Sequence, residues 1–167
     1  GEFLRRQLKA EPSDSGIHLF EGLGGGGKEK VVQSVKYVAG ILGRVGRRIP
    51  HLVVLDGDAS AWIDTQKGVD SQRLFILSKK EIDSYLLDAR ALARAFNMNE
   101  SEVAERLRVA KGDGKEKLEQ IIRHFGVRPT PQVKQMIARH IEKVPQDFVG
   151  LLETIKQIRE LEQEDGN

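Results

Sequence analysis

A chain of 167 residues suits one domain or two small ones, and 39% hydrophobic residues can build a modest core. The absence of cysteine excludes disulfides and thiolate zinc sites, and the lack of a long apolar span or a secretory leader makes the cytoplasm, away from any membrane, the expected setting. A net charge of +2 excludes nucleic-acid binding by bulk charge; the local balance, 6 basic against 8 acidic residues over 51–100 and 10 against 7 over 101–150, fits a metal site beside a phosphate-binding surface and equally fits mixed solvated faces.

Residues 1–16 open with Gly-Glu-Phe, which looks like an expression-vector scar, and close with Pro12-Ser13-Asp14-Ser15-Gly16, a linker composition. Ile17-His18-Leu19-Phe20 predicts a strand and Gly22 to Gly27 a loop. From Lys28, the apolar positions Val31, Val32, Val35, Val38, Ile41 and Leu42 recur at helical spacing until Gly43 and Gly46. The run His51 to Leu55 predicts a buried strand ending in Asp56-Gly57-Asp58, and strand, helix, strand predicts a parallel βαβ unit.

Ala59 to Asp64 reads as loop and Arg73 to Leu77 as a further strand. Ser78-Lys79-Lys80-Glu81 has capping-box spacing and predicts a helix through Leu87, with Ala89 to Phe96 continuing after a break near Asp88. The rest is helical: a helix capped by Asn99 with Glu102, one from Lys115 to Phe125 stopped by Gly126, one from Thr130-Pro131 to about Lys143, and one from Phe148 to Leu161. The fold class is therefore α/β, a small and mainly parallel sheet flanked by helices over residues 17–97, followed by a helical part over 98–167.

Asp56 and Asp58 are the strongest chemical signal. Side chains alternate along a strand, so the two carboxylates are expected to point the same way at its carboxyl end, where ligands of open α/β sheets bind. Two close like charges call for hydrogen bonds, a shared proton or a cation, and Mg²⁺ or Mn²⁺ suits hard oxygen donors. An Asp-Gly hairpin turn or a solvated strand end is the plainer reading.

The loop before Lys28 invites a P-loop reading, since Gly22 to Lys28 fits G-x-x-x-x-G-K. Glu29 then stands where a Ser or Thr should ligate magnesium, and its charge would repel a triphosphate. What survives is a possible phosphate contact through Gly26, Gly27 and Lys28 at a helix N-terminus, with a ligand-free loop as the alternative. Glu81 is a candidate third ligand or simply the cap of its own helix; Asp83 is an auxiliary acid or a solvated first-turn carboxylate. Lys115, after Gly-Asp-Gly, is a candidate phosphate contact or a solvated lysine, with Lys111 and Lys134 behind it. The four histidines lack metal-ligand spacing, and Trp62, Tyr85, Leu86, Leu87 and Phe96 read as packing residues.

Taken together, the Gly-rich turn and helix of Gly24 to Val32, the Val-Val-Leu-Asp-Gly-Asp strand and Leu77-Ser-Lys-Lys-Glu-Ile-Asp-Ser-Tyr-Leu-Leu, followed by Gly114-Lys115-Glu116, resemble the TOPRIM-like nuclease region of the OLD (overcoming lysogenization defect) family. The resemblance covers most of the chain. It implies a divalent-metal-dependent DNA endonuclease, with Asp56, Asp58 and Glu81 binding Mg²⁺ or Mn²⁺ and Lys115 contacting phosphate. It also implies DNA as substrate, an ATP-binding-cassette ATPase portion in the same parent chain, and room for a homodimer. TOPRIM sites begin with a strand ending in glutamate followed by a nearby acid; Glu21-Gly22 matches the dipeptide, but Gly25 stands where an acid is expected. The reading favoured is a chain that begins inside the fold, without its first strand and helix, which leaves the activity of the isolated chain open; the alternative makes Glu21 the glutamate of a shortened version. A non-catalytic DNA- or protein-interaction module is the second functional reading.

Overall fold

The computed structural model describes residues 27–45, 51–66 and 73–164; the strand expected at Ile17–Phe20, Glu21 and the glycines from Gly22 to Gly26 lie outside them. The described residues are mostly helical around a small parallel sheet. They form two compact units: one contains residues up to Ser78 together with those from Asp147 on, the other runs continuously from Lys79 to Gln146. The composition change after Asn97 falls inside the second unit.

In the first unit, helix α1 spans Lys28–Arg44. Its buried face carries Val32, with Val31 and Val35 packed beside it, as the spacing predicts. The helix continues through Gly40 and Gly43, so the first stop signal is overridden, and Val45 closes it by donating its N–H to the Leu42 carbonyl at 3.1 Å. Away from the core, Tyr37, Val38, Ile41 and Val45 form an exposed apolar stripe.

Strands β1 (Val53–Leu55) and β2 (Leu74–Ile76) pair in parallel, with Val53 opposite Leu74 and Leu55 opposite Ile76. Both are shorter than the apolar runs that announced them. Val53 and Leu55 bury with Val32 and Ala59, while Trp62, Ile63 and Leu74 pack around that cluster. The stretch expected to be a loop is helical instead: a 3-10 turn over Gly57–Ala59 leads into α2 (Ser60–Ile63). Ser60 fixes it by donating its hydroxyl to the Gly57 carbonyl at 2.9 Å, and one helical turn is too short for a periodicity to register.

The second unit starts with a 3-10 helix, Ile82–Leu86, and continues with α3 (Ala89–Phe96), α4 (Glu100–Val109), α5 (Gly114–His124) and α6 (Pro131–Arg139). Helix α3 packs on α4 and α6, and α5 packs on the 3-10 helix. Leu92, Val103, Leu118, Ile122 and Ile137 are fully buried, and the Phe96 and Phe125 rings meet with centroids 4.9 Å apart. Side-chain caps define the helix starts: Asp88 accepts from Ala91 N–H, Asn99 from Ser101 and Glu102 N–H, and Thr130 from Val133 N–H before Pro131. Helix α6 ends at Arg139, short of the expected Lys143.

Helix α7 (Gln146–Glu164) returns to the first unit from Asp147 on. The Ser78 N–H donates to Asp147 Oδ2 at 2.6 Å, across 69 residues of sequence. Gly150 faces the Phe75 ring, where an added Cβ would rest in ordinary contact at 3.6 Å. Among the described residues no helix is long and apolar enough to cross a membrane.

Candidate functional site

Strand β1 delivers Asp56 and Asp58 to its carboxyl end, but through a turn. The ladder stops at Leu55, Asp56 remains extended, and its carbonyl accepts the Ala59 N–H at 2.9 Å to start the 3-10 turn that holds Asp58. Strand alternation therefore does not set the Asp58 side chain. A lysine does: Lys28 Nζ donates to Asp58 Oδ2 at 3.2 Å and to the Asp58 carbonyl at 3.3 Å. The same ammonium lies 5.9 Å from the Trp62 ring centroid, within cation–π range. Lys28 is the first residue of α1 and Gly27 its N-cap. An added Cβ at Gly27 would meet nothing within 4 Å, so no close approach demands glycine there; Gly26 lies outside the described residues.

Glu81 and Lys115 also come together, though not as the sequence reading expects. Glu81 precedes the 3-10 helix without capping it, so the predicted capping box from Ser78 to Glu81 does not form. Its Oε2 instead accepts the backbone N–H of Lys115 at 2.7 Å, satisfying a donor in the first turn of α5. The capping box of this unit belongs to α5 itself: Asp113 accepts the Glu116 N–H, and the Glu116 side chain accepts the Asp113 N–H. Both glycines around Asp113 are explained by this construction. Gly112 has φ +99° with the Glu116 side chain beside it, and at Gly114 an added Cβ would fall 1.8 Å from Ser84 Oγ, on the packed face of the 3-10 helix.

The Glu116 N–H holds the Asp113 carboxyl below its usual range, with the charges of Lys80 and Lys115 acting in the same direction. A carboxyl whose folded-state pKa is lowered contributes stability above its unfolded value of about 3.9 and loses it as pH falls through the lower folded value. Thermal melts between pH 6 and pH 3 are therefore expected to show a smaller acid loss for Asp113→Asn, whose amide oxygen caps the helix without titrating, than for the wild type. Equal acid losses in the two proteins would remove Asp113 from the account.

Asp83 is not a solvated first-turn carboxylate: it is buried and paired with the Lys134 ammonium from α6. That pairing gives Lys134 a structural partner, and spacing gives no sign of it, because 51 residues separate the two. Tyr85 is buried as expected, and its hydroxyl accepts the Lys79 N–H at 3.2 Å, while the Lys79 ammonium lies over the ring. The sequence-predicted residues thus assemble as three pairs, Lys28 with Asp58 in the first unit, and Glu81 with the Lys115 N–H and Asp83 with Lys134 in the second. Among the described residues no three His, Cys, Asp or Glu side chains are grouped as a ready metal cradle. Comparison of the chain with protein-family models, with curated proteins and with solved structures finds no match.

Proposed function

We propose that this chain is the TOPRIM-like part of an OLD-type nuclease that hydrolyses DNA phosphodiesters with Mg²⁺ or Mn²⁺ held by Asp56 and Asp58. The observation that carries this reading is the pair of carboxylates following a parallel strand, with a cationic group already drawn to one of them. The donor set fits the ion, since carboxylate oxygens on a half-exposed turn are hard ligands that leave room for water and phosphate oxygen. Bound there, the ion supplies a Lewis acid that lowers the pKa of water and offsets charge on the leaving oxygen. In the hydrolysis, water oxygen adds to phosphorus, one ester P–O bond breaks, and the proton lost by water ends on the released alcohol. The family resemblance adds Glu81 as a third acidic position and Lys115 as a phosphate contact, and it implies DNA as substrate and an ATP-binding-cassette portion of the parent chain.

The test is a Mg²⁺ titration followed by amide chemical shifts. Saturable shifts confined to the neighbourhood of Asp56 and Asp58, and lost in Asp56→Ala/Asp58→Ala, are expected; shifts that are absent, or unaltered by the double substitution, would reject the metal site.

A second reading is favoured by one observation: Glu81 serves as a helix cap and Asp58 as the partner of Lys28, so these carboxylates already have structural work. On that reading the chain is a non-catalytic module for DNA or a protein partner. Salt-sensitive DNA binding with no metal-dependent cleavage would favour it.

A further inference from the structure

We propose that the groove along the exposed face of α5 is a docking track for the sugar–phosphate backbone of DNA, held at its two ends by Lys111 and Arg128 and indifferent to base sequence. The proposal takes DNA from the reading above and uses no part of the Asp56–Asp58 turn. Two open hollows of about 600 and 360 Å³ lie on the second unit and meet at Glu119 and Arg123. Lys111 borders one and Arg128 the other, just before and just after the helix. An 11-residue helix is roughly 16 Å long, about the rise of five nucleotides along one strand of B-form DNA.

Partnering decides which charges are free to bind. Three cations, Lys111, Arg123 and Arg128, line the groove with two carboxylates, Glu116 and Glu119. Both carboxylates are engaged within the protein: Glu116 accepts the Asp113 N–H at 3.3 Å, and Glu119 accepts from the Arg123 guanidinium at 3.0 Å. Lys111 and Arg128 are exposed, and neither side chain has a carboxylate partner among the described residues. The backbone around each is set in place: the Lys111 carbonyl accepts the Gln120 amide at 2.9 Å, and the Ile122 carbonyl accepts the Val127 N–H at 3.3 Å. An anion bound there orders little further chain. Arg123 is a latent third contact, because an exposed i,i+4 pair is weak enough for a phosphate to compete with Glu119 for the guanidinium.

The rest of the lining favours a nucleic-acid backbone over an acidic protein segment. Val127 and Pro129 are its only apolar side chains, so it offers no pocket for the large apolar anchor that a protein interface needs. It has no aromatic ring on which a base could stack, so the contact is with phosphate and carries no sequence preference.

The full chain is titrated into fluorescein-labelled duplexes of two unrelated sequences, in EDTA so that no divalent cation takes part, and anisotropy is followed from about 50 to 200 mM KCl. The wild type is expected to bind both alike, with log K against log salt at a slope of about −2 to −3. Lys111→Ala and Arg128→Ala are each expected to make that slope shallower by about 0.9. Arg128→Lys is expected to keep it, as is Lys143→Ala, which removes an exposed lysine outside the groove. Glu119→Gln frees Arg123 and is expected to tighten binding by about two- to fivefold, a gain that misfolding does not produce. Wild-type slopes in both alanine variants, absence of DNA binding, or displacement of the duplex by poly-glutamate as effectively as by unlabelled DNA would overturn the groove as a DNA track. The metal reading is decided separately, by the Mg²⁺ shifts at Asp56 and Asp58.

Discussion

DNA cleavage in Mg²⁺ or Mn²⁺ is expected to fall on the order of a thousandfold when either Asp56 or Asp58 is replaced by alanine. Each carboxylate would supply both a ligand and a negative charge, so losing either removes the ion at working concentrations and with it the activation of water. The backbone of the turn is kept by both changes, since alanine retains the Asp56 carbonyl that accepts the Ala59 N–H, and the Asp58 side chain is half-exposed. Circular dichroism of the variants should match the wild type, separating loss of chemistry from loss of structure. Cleavage at the wild-type rate in both variants would reject the assignment. Glu81→Gln decides a further question in the same assay. The amide keeps the oxygen that accepts the Lys115 N–H but loses the charge that a metal ligand needs. A wild-type rate in this variant would leave Glu81 a helix cap and nothing more.

Asp83→Ala is expected to destabilise the second unit by about 3 kcal/mol, read from urea unfolding. The substitution leaves the partly buried Lys134 ammonium without its carboxylate, and removes the link between the 3-10 helix and α6. The cost comes from stranding a charge more than from the attraction of the pair. Replacing both partners with apolar side chains, Asp83→Leu/Lys134→Met, is therefore expected to recover most of the loss. A change below about 0.5 kcal/mol for Asp83→Ala would place the pair among ordinary surface contacts.

Helices were legible in the sequence wherever their signals are local. Asn99, Thr130-Pro131 and the break at Asp88 act within three residues of a helix start, and Gly126, with φ +71°, follows the end of α5. The same kind of reasoning misled at Ser78 to Glu81, where capping-box spacing is present but the Glu81 carboxylate is drawn 34 residues along the chain to α5. A local motif has no way to register a competing donor that only tertiary folding brings near. The site shows the same divide. Asp56 and Asp58 could be singled out from spacing and strand-end placement, while the partner of Asp58, 30 residues upstream, could not. The glycine-rich approach to Lys28 invites a phosphate, whereas its place beside Trp62 of α2 is a tertiary contact that periodicity does not encode.

The return of α7 to the first unit has a consequence for synthesis on the ribosome. The segment from Lys79 to Gln146 is continuous and helical, so its neighbours lie close along the chain and it can close while later residues are still being made. The two strands cannot reach their final surroundings at that stage. Phe75 and the Ser78 N–H must wait for Gly150 and Asp147, which emerge roughly seventy residues later, several seconds at ordinary elongation rates. During that interval β2 is a nascent edge with exposed apolar residues, which is the stage at which a chaperone would have most to offer this chain.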